Sequence, residues 1–161
     1  MGDRPLFNVI CTTLLIEKSP QALPLGAACI ASAIKNDLLT KDLCSVYLDV
    51  YTLEDYELNR IDLSIEKKAQ IIVDKILLRK PEIVAFSVFV WNKNLLEKAA
   101  SILKEKNITT IAGGPEITAH PFEKGVFDFI ITGEGEYKVP KLISKIINKD
   151  VPADEIFENE K

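Results

Sequence analysis

The chain has 161 residues, a net charge of −4, 47% hydrophobic and 27% charged residues, which fits one domain with a sizeable core. The absence of a basic stripe excludes a nucleic-acid surface. The longest uncharged stretch, 19–34, holds two prolines and is too short and too broken to span a bilayer. No basic segment followed by an apolar run opens the chain, so the expectation is a cytoplasmic protein.

Leu6 to Thr13 reads as a first strand, followed by a loop through Ser19, Pro20 and Pro24. Leu25 to Leu39 reads as a helix whose small residues, Gly26, Ala27, Ala28, Ala31 and Ala33, permit close packing on a sheet. Ser45 to Val50 is a second strand, and Tyr51 to Leu63 is polar and reads as loop. Glu66 to Arg79 is an amphipathic helix, with Ile65, Ala69, Ile72 and Ile76 at helical spacing. Pro81 stops it. Glu82 to Val88 is nearly continuously apolar, the mark of a central parallel strand buried on both faces. Asn92 or Asn94 can cap the next helix, whose buried stripe is Leu95, Ala99, Ile102 and Leu103. Ile108 to Ala112 is a fourth strand. Pro115 to Pro121 reads as loop, with a helical turn at Phe122 to Lys124. Phe127 to Ile131 is a fifth strand. Glu136 to Asn148 is the last helix, with Val139, Ile143 and Ile146 inward.

This alternation predicts an α/β fold: a doubly wound, five-stranded parallel sheet in a flavodoxin-like, Rossmann-like three-layer sandwich, in the order 2-1-3-4-5. The fold occupies 1–149, and 150–161 reads as an acidic tail or linker. In such sheets ligands bind beyond the carboxyl ends of the strands. Two late strands break into glycine there, at Gly113-Gly114-Pro115 and at Gly133-Glu134-Gly135-Glu136. Glycine lets a ligand approach the backbone closely or simply serves the turn. Ser87 ends the third strand and offers a hydroxyl. Phe89 and Trp91 follow and can stack on a flat ligand, cover the sheet edge or meet a partner domain.

Several chemistries are excluded. Neither a G-x-x-x-x-G-K-[ST] nor a G-x-G-x-x-G motif is present, so Asp49, closing the second strand, is no ribose ligand. Glu134 and Glu136 favour a helix start and would repel a phosphate there. The first and third strands end without the Asp that a phosphoacceptor needs. Cys11, Cys29 and Cys44 match no zinc or iron–sulfur spacing. His120, the sole histidine, has no partner pattern that makes it a catalyst. No catalytic and no metal-ligating residue is assigned, and no catalysis is expected from this chain alone.

Four segments in order carry a resemblance: Pro24-Leu25-Gly26-Ala27-Ala28, Pro81 to Ser87, Gly113-Gly114-Pro115, and Asp128 to Glu136. Together they resemble the cobalamin-binding domain at the N-terminus of many radical S-adenosylmethionine enzymes, over residues 6–148. The resemblance implies a corrinoid at the sheet's C-terminal edge. Its nucleotide tail would pass Ser87 and the space left by Gly113 and Gly114, and its macrocycle would lie over the loops after the first, third and fourth strands. The implied contact residues are Ser87, Phe89, Trp91, Gly113, Gly114, Pro115, Glu116, Gly133, Glu134 and Gly135. Thr12 to Lys18 lacks the D-x-H-x-x-G of methionine-synthase-type domains, so cobalamin is expected without a protein histidine ligand. An iron–sulfur cluster and S-adenosylmethionine would belong to a catalytic partner domain that this chain lacks, as an excised or stand-alone module would. The alternative is a scaffold that keeps the fold without the cofactor and docks a partner. Neither nucleic acid nor membrane is expected as a partner.

Overall fold

Strands whose apolar residues sit on both faces need helices on both sides, and the chain supplies them in alternation. The computed structural model describes residues 5–19, 21, 23–120 and 125–150. Its elements are β1 (Phe7–Leu15), α1 (Leu25–Asn36), β2 (Cys44–Thr52), α2 (Ile65–Leu77), β3 (Ile83–Ser87), α3 (Lys93–Glu105), β4 (Thr109–Gly113), α4 (Pro115–Ala119), β5 (Phe129–Ile130) and α5 (Lys138–Ile147). The sheet order is β2-β1-β3-β4-β5 and every pair is parallel. The doubly wound, flavodoxin-like expectation is met.

Side chains alternate across each strand, so each strand feeds two cores. Ile10, Leu14, Val84, Phe86, Ala112 and Ile130 pack under α2 and α3. Val9, Cys11, Ile83, Ala85, Ile111, Phe129 and Ile131 pack under α1 and α5. The expected faces of α2 and α3 are the buried ones, with Ile102 at the margin of the core. Ser64 caps α2 by accepting from the Lys67 N–H at 3.2 Å.

Some boundaries move. β2 runs through Tyr51 and Thr52, read from sequence as loop, because they pair with Leu14 and Leu15 and the Tyr51 ring is buried in the α2–α3 core. The Thr52 N–H and hydroxyl donate to the Asp55 carboxylate, which ends the strand. Pro115 opens α4 where a loop was expected, since a proline at the first helical position gives up no needed N–H. The turn expected at 122–124, and the tail at 151–161, lie outside the described residues. β5 shrinks to two residues, Phe129 and Ile130, which pair with Ile111 and Ala112 of β4. α5 begins at Lys138, which leaves Glu134 and Glu136 on the loop before it.

Candidate functional site

β1, β3 and β4 end beneath α1 and α5. Their register puts Cys11, Ala85 and Ile111 in one row on that face. One step further along, Ser87 pairs with Gly113. A Cβ at Gly113 would stand 3.5 Å from the Ile131 carbonyl oxygen, ordinary contact, so space is left there rather than a turn served. The result is a cavity of about 170 Å³. Its floor is the Cys11–Ala85–Ile111 row, and Ile30, Ile131 and Val139 are its apolar walls. Gly26 and Ala27, in the first turn of α1, line it as well. A Cβ at Gly26 would come within 3.3 Å of Ser87 Oγ. Gly133, Glu134, Gly135 and Glu136 complete the lining from the loop before α5.

The two paired glycines do different jobs. Gly114 has φ of 106°, and a Cβ there would meet the Val88 carbonyl oxygen at 2.7 Å and its nitrogen at 2.9 Å. It serves the turn into α4, where Val88 N–H donates to Gly113 O and Glu116 N–H donates to Val88 O. Of the two, Gly113 alone is free to accept a side chain.

Six of the ten candidates therefore line one cavity: Ser87, Gly113, Gly114, Gly133, Glu134 and Gly135. The other four lie outside its lining. Phe89 and Trp91 stack on each other, with centroids 4.5 Å apart and planes 12° apart. Trp91 Nε1 donates to the Leu14 carbonyl at 3.1 Å, yet 42% of the residue stays exposed. Asn92 occupies the N-cap position of α3 without capping it. Its side chain is consumed by the loop instead: Oδ1 accepts from Phe89 N–H at 2.8 Å, and Nδ2 donates to Leu14 O at 3.1 Å. The loop after β3 is thus pinned to the end of β1. Pro115 and Glu116 open α4. The Glu116 carboxylate pairs with Lys93 at 3.9 Å and with His120 at 3.7 Å.

Electrostatically the floor is inert. Burial pushes the Cys11 thiol up to about 12, Lys35 pulling against it and Cys44 adding to it. It is a neutral, small apolar group at any working pH. The polar side chains of the lining lie off the floor: Glu134, Glu136 and Ser87. The Ser87 carbonyl accepts from Thr13 Oγ1 at 2.8 Å, but among the described residues no group hydrogen-bonds its Oγ. Asp49 is held by Arg79 Nε and Nη2 at 3.1 and 2.9 Å. No cluster suited to a metal ion occurs among the described residues, and no helix there is long and apolar enough to cross a membrane.

Sequence reasoning missed the floor and the α1 wall. Cys11, Ala85 and Ile111 read as core, and only strand register reveals them as one row. Gly26, Ala27 and Ile30 had a usable signal, a small-small-large pattern on the helix that follows β1. Around the same edge stand exposed apolar residues from three loops, Ile16, Leu23, Val90 and Tyr137 among them.

Comparison with known proteins returns a consistent set. A family model described as the B12 binding domain matches residues 14–143. The cobalamin-dependent radical SAM methyltransferase TokK of Streptomyces tokunonensis is 35% identical over 71 residues, which cover 40% of this chain and 10% of that protein. The chain therefore spans about a tenth of that relative's length. The crystal structure of a cobalamin-binding protein from Desulfitobacterium hafniense DCB-2 superposes with a TM-score of 0.53 at 16% identity, over 91% of this chain and 59% of that one. The last likeness establishes the shared fold.

Proposed function

The chain belongs to the B12 binding domain family, and from that premise we propose that it holds a corrinoid at the C-terminal edge of its sheet, tail inward, for a radical S-adenosylmethionine catalytic domain. The observation that carries the reading is the cavity under Ser87, opened by the missing side chain of Gly113. At about 170 Å³ it is close to the ~150 Å³ in which an apolar protein cavity holds a small aromatic ring. It is well below the ~300 Å³ at which pockets begin to enclose whole drug-sized ligands. A nucleotide tail's base fits the space, and a corrin macrocycle does not. The macrocycle would rest outside, over the loops after β1, β3 and β4, and in the loop after β3 Val90 and Trp91 are exposed to meet it.

The residues present suit that group. Ser87 Oγ, with no partner among the described residues, is left for a polar atom of the tail. The carboxylates of Glu134 and Glu136, which line the same cavity, can accept from amide N–H groups of the kind a corrinoid carries. Neither the loop after β1 nor the cavity lining contains a histidine, so cobalt would be held without a protein imidazole. When bound, the corrinoid supplies the methyl-transfer chemistry at its cobalt, and this chain supplies binding, orientation and exclusion of water. The radical partner is inferred from the similarity to TokK. The iron–sulfur cluster and S-adenosylmethionine belong to that partner, because Cys11, Cys29 and Cys44 are scattered.

The test is direct. The purified chain, mixed with hydroxocobalamin and desalted, is expected to retain a visible corrinoid spectrum near one equivalent and to melt at a higher temperature. No retained spectrum and no shift would replace this reading with the cofactor-free docking scaffold.

A further inference from the structure

Corrinoids differ in the base that ends their tail. Some carry a benzimidazole, whose outer edge is carbon and methyl. Others carry a purine, with ring nitrogens and an exocyclic amine. A third group lacks the base altogether. Resting on the corrinoid reading above, we propose that the cavity chooses among them by this base, accepting a benzimidazole tail and rejecting a purine one.

The floor decides it. Cys11, Ala85 and Ile111 form one row, with Ile30, Ile131 and Val139 as walls. None of the six offers a hydrogen bond of ordinary strength. The thiol of Cys11 is neutral and a weak donor. Several backbone groups beside the floor are spent as well, although the Gly26 and Ala27 N–H groups, in the first turn of α1, have no capping side chain. Gly113 O accepts from Val88 N–H and Ile131 N–H donates to Ala112 O, both at 2.8 Å, and Val88 O accepts from Glu116 N–H at 3.3 Å. Gly133 N–H donates to Thr118 Oγ1 at 2.9 Å. The uncommitted hydroxyl of Ser87 belongs to the row nearer the strand ends, a step away from the floor. A purine pushed to the floor would strip water from several polar atoms and find no replacement in the floor row or the apolar walls, which is strongly unfavourable. The remaining polar lining, the Glu134 and Glu136 carboxylates and the Gly26 and Ala27 N–H groups, belongs to the loop before α5 and the first turn of α1. Methyl groups on a benzimidazole would instead gain dispersion contacts with Ile111, Ile131 and Val139. A site built this way discriminates by what it leaves unpaired.

Equilibrium titration of the full chain, followed by visible absorbance, compares cobalamin, a cobamide with adenine as its base, and base-free cobinamide. Cobalamin is expected to bind at least tenfold more tightly than each of the others. Ala85→Ser, which sets a hydroxyl into the floor, is expected to narrow the gap between cobalamin and the adenine cobamide. Equal affinity for these two, with cobinamide weaker, would overturn the selectivity and leave the corrinoid reading standing. Equal affinity for all three would show that the tail does not enter the cavity, and overturn the proposal. If none binds, the corrinoid reading falls and this inference with it.

Discussion

Gly113 and Gly114 are adjacent, and the molecule uses them in opposite ways. Gly113→Val adds a side chain where ordinary contact awaits it, and a β-branched residue suits a strand. Its melting temperature without ligand is expected to match or exceed that of the parent, while cobalamin affinity falls at least tenfold. Gly114→Ala, by contrast, forces a side chain into positive φ and against the Val88 backbone. The conformation alone costs about 1–2 kcal/mol, so this variant should melt lower whether or not cobalamin is present. Paired melts of both variants with and without excess cobalamin check the assignment. A stable Gly113→Val that binds as tightly as the parent would dismiss the cavity as a tail site.

Three buried acidic groups set a second residue-scale expectation. Burial, the leading cause in each case, raises Cys11 from 9.0 to about 12 and Cys44 from 9.0 to about 11. It raises Tyr51 from 10.0 to about 12. Each group binds its proton more tightly folded than unfolded. Their stabilisation is therefore whole below pH 9 and is lost as pH rises toward 11–12. Urea midpoints should hold steady from pH 7 to 8.5 and then decline. In the Cys11→Ala, Cys44→Ala double variant, weaker at neutral pH through lost packing, the decline should be shallower. An equal slope in both proteins would assign the alkaline loss elsewhere.

At the scale of elements, the loop between β3 and α3 is held by one buried side chain. Asn92→Ala strands the Phe89 N–H and removes a donor from Leu14 O, at about 1–3 kcal/mol for orphaned buried groups. Trp91, the sole tryptophan, should report the change as a red-shifted emission together with a lowered melt. An unchanged emission maximum would mean the Trp91–Leu14 bond and the Phe89 stack hold the loop unaided. The same element shows why some of the structure was hidden in the sequence. Asn92 was legible as a helix start, but its bonds run to a strand far away in the chain, and no local rule foretells them. The strands were legible because a short, continuous apolar run bounded by Pro and Gly suits little besides a buried strand. Tyr51 and Thr52 were not, since their polarity hides a ring buried by α2. The five residues of α4 carry too short a pattern to show periodicity. At the cavity, the glycines and Ser87 stood out as strand-end residues. The floor did not, because burial under a helix and exposure to a cavity select the same side chains.

Across the whole molecule, every strand runs the same way, so every loop that follows a strand lies at one edge. Cobalamin added to the chain should slow amide exchange around Ser87–Val88, Gly113 and Gly133–Gly135 and at the start of α1. The opposite edge, such as the loop between α2 and β3, should exchange as before. Protection spread evenly over both edges would speak for general tightening rather than a site at the strand ends.

The cavity draws on Cys11 in the first strand and Val139 in the last helix. During synthesis on a ribosome its floor is laid down early, yet its far wall emerges among the last residues of the fold. A partly made chain thus has no compartment to offer a cofactor. On the corrinoid reading proposed above, capture would wait for the docking of α5, and loss of that helix, by cleavage or by fraying, would remove the Val139 wall while leaving the Cys11, Ala85 and Ile111 row in the sheet.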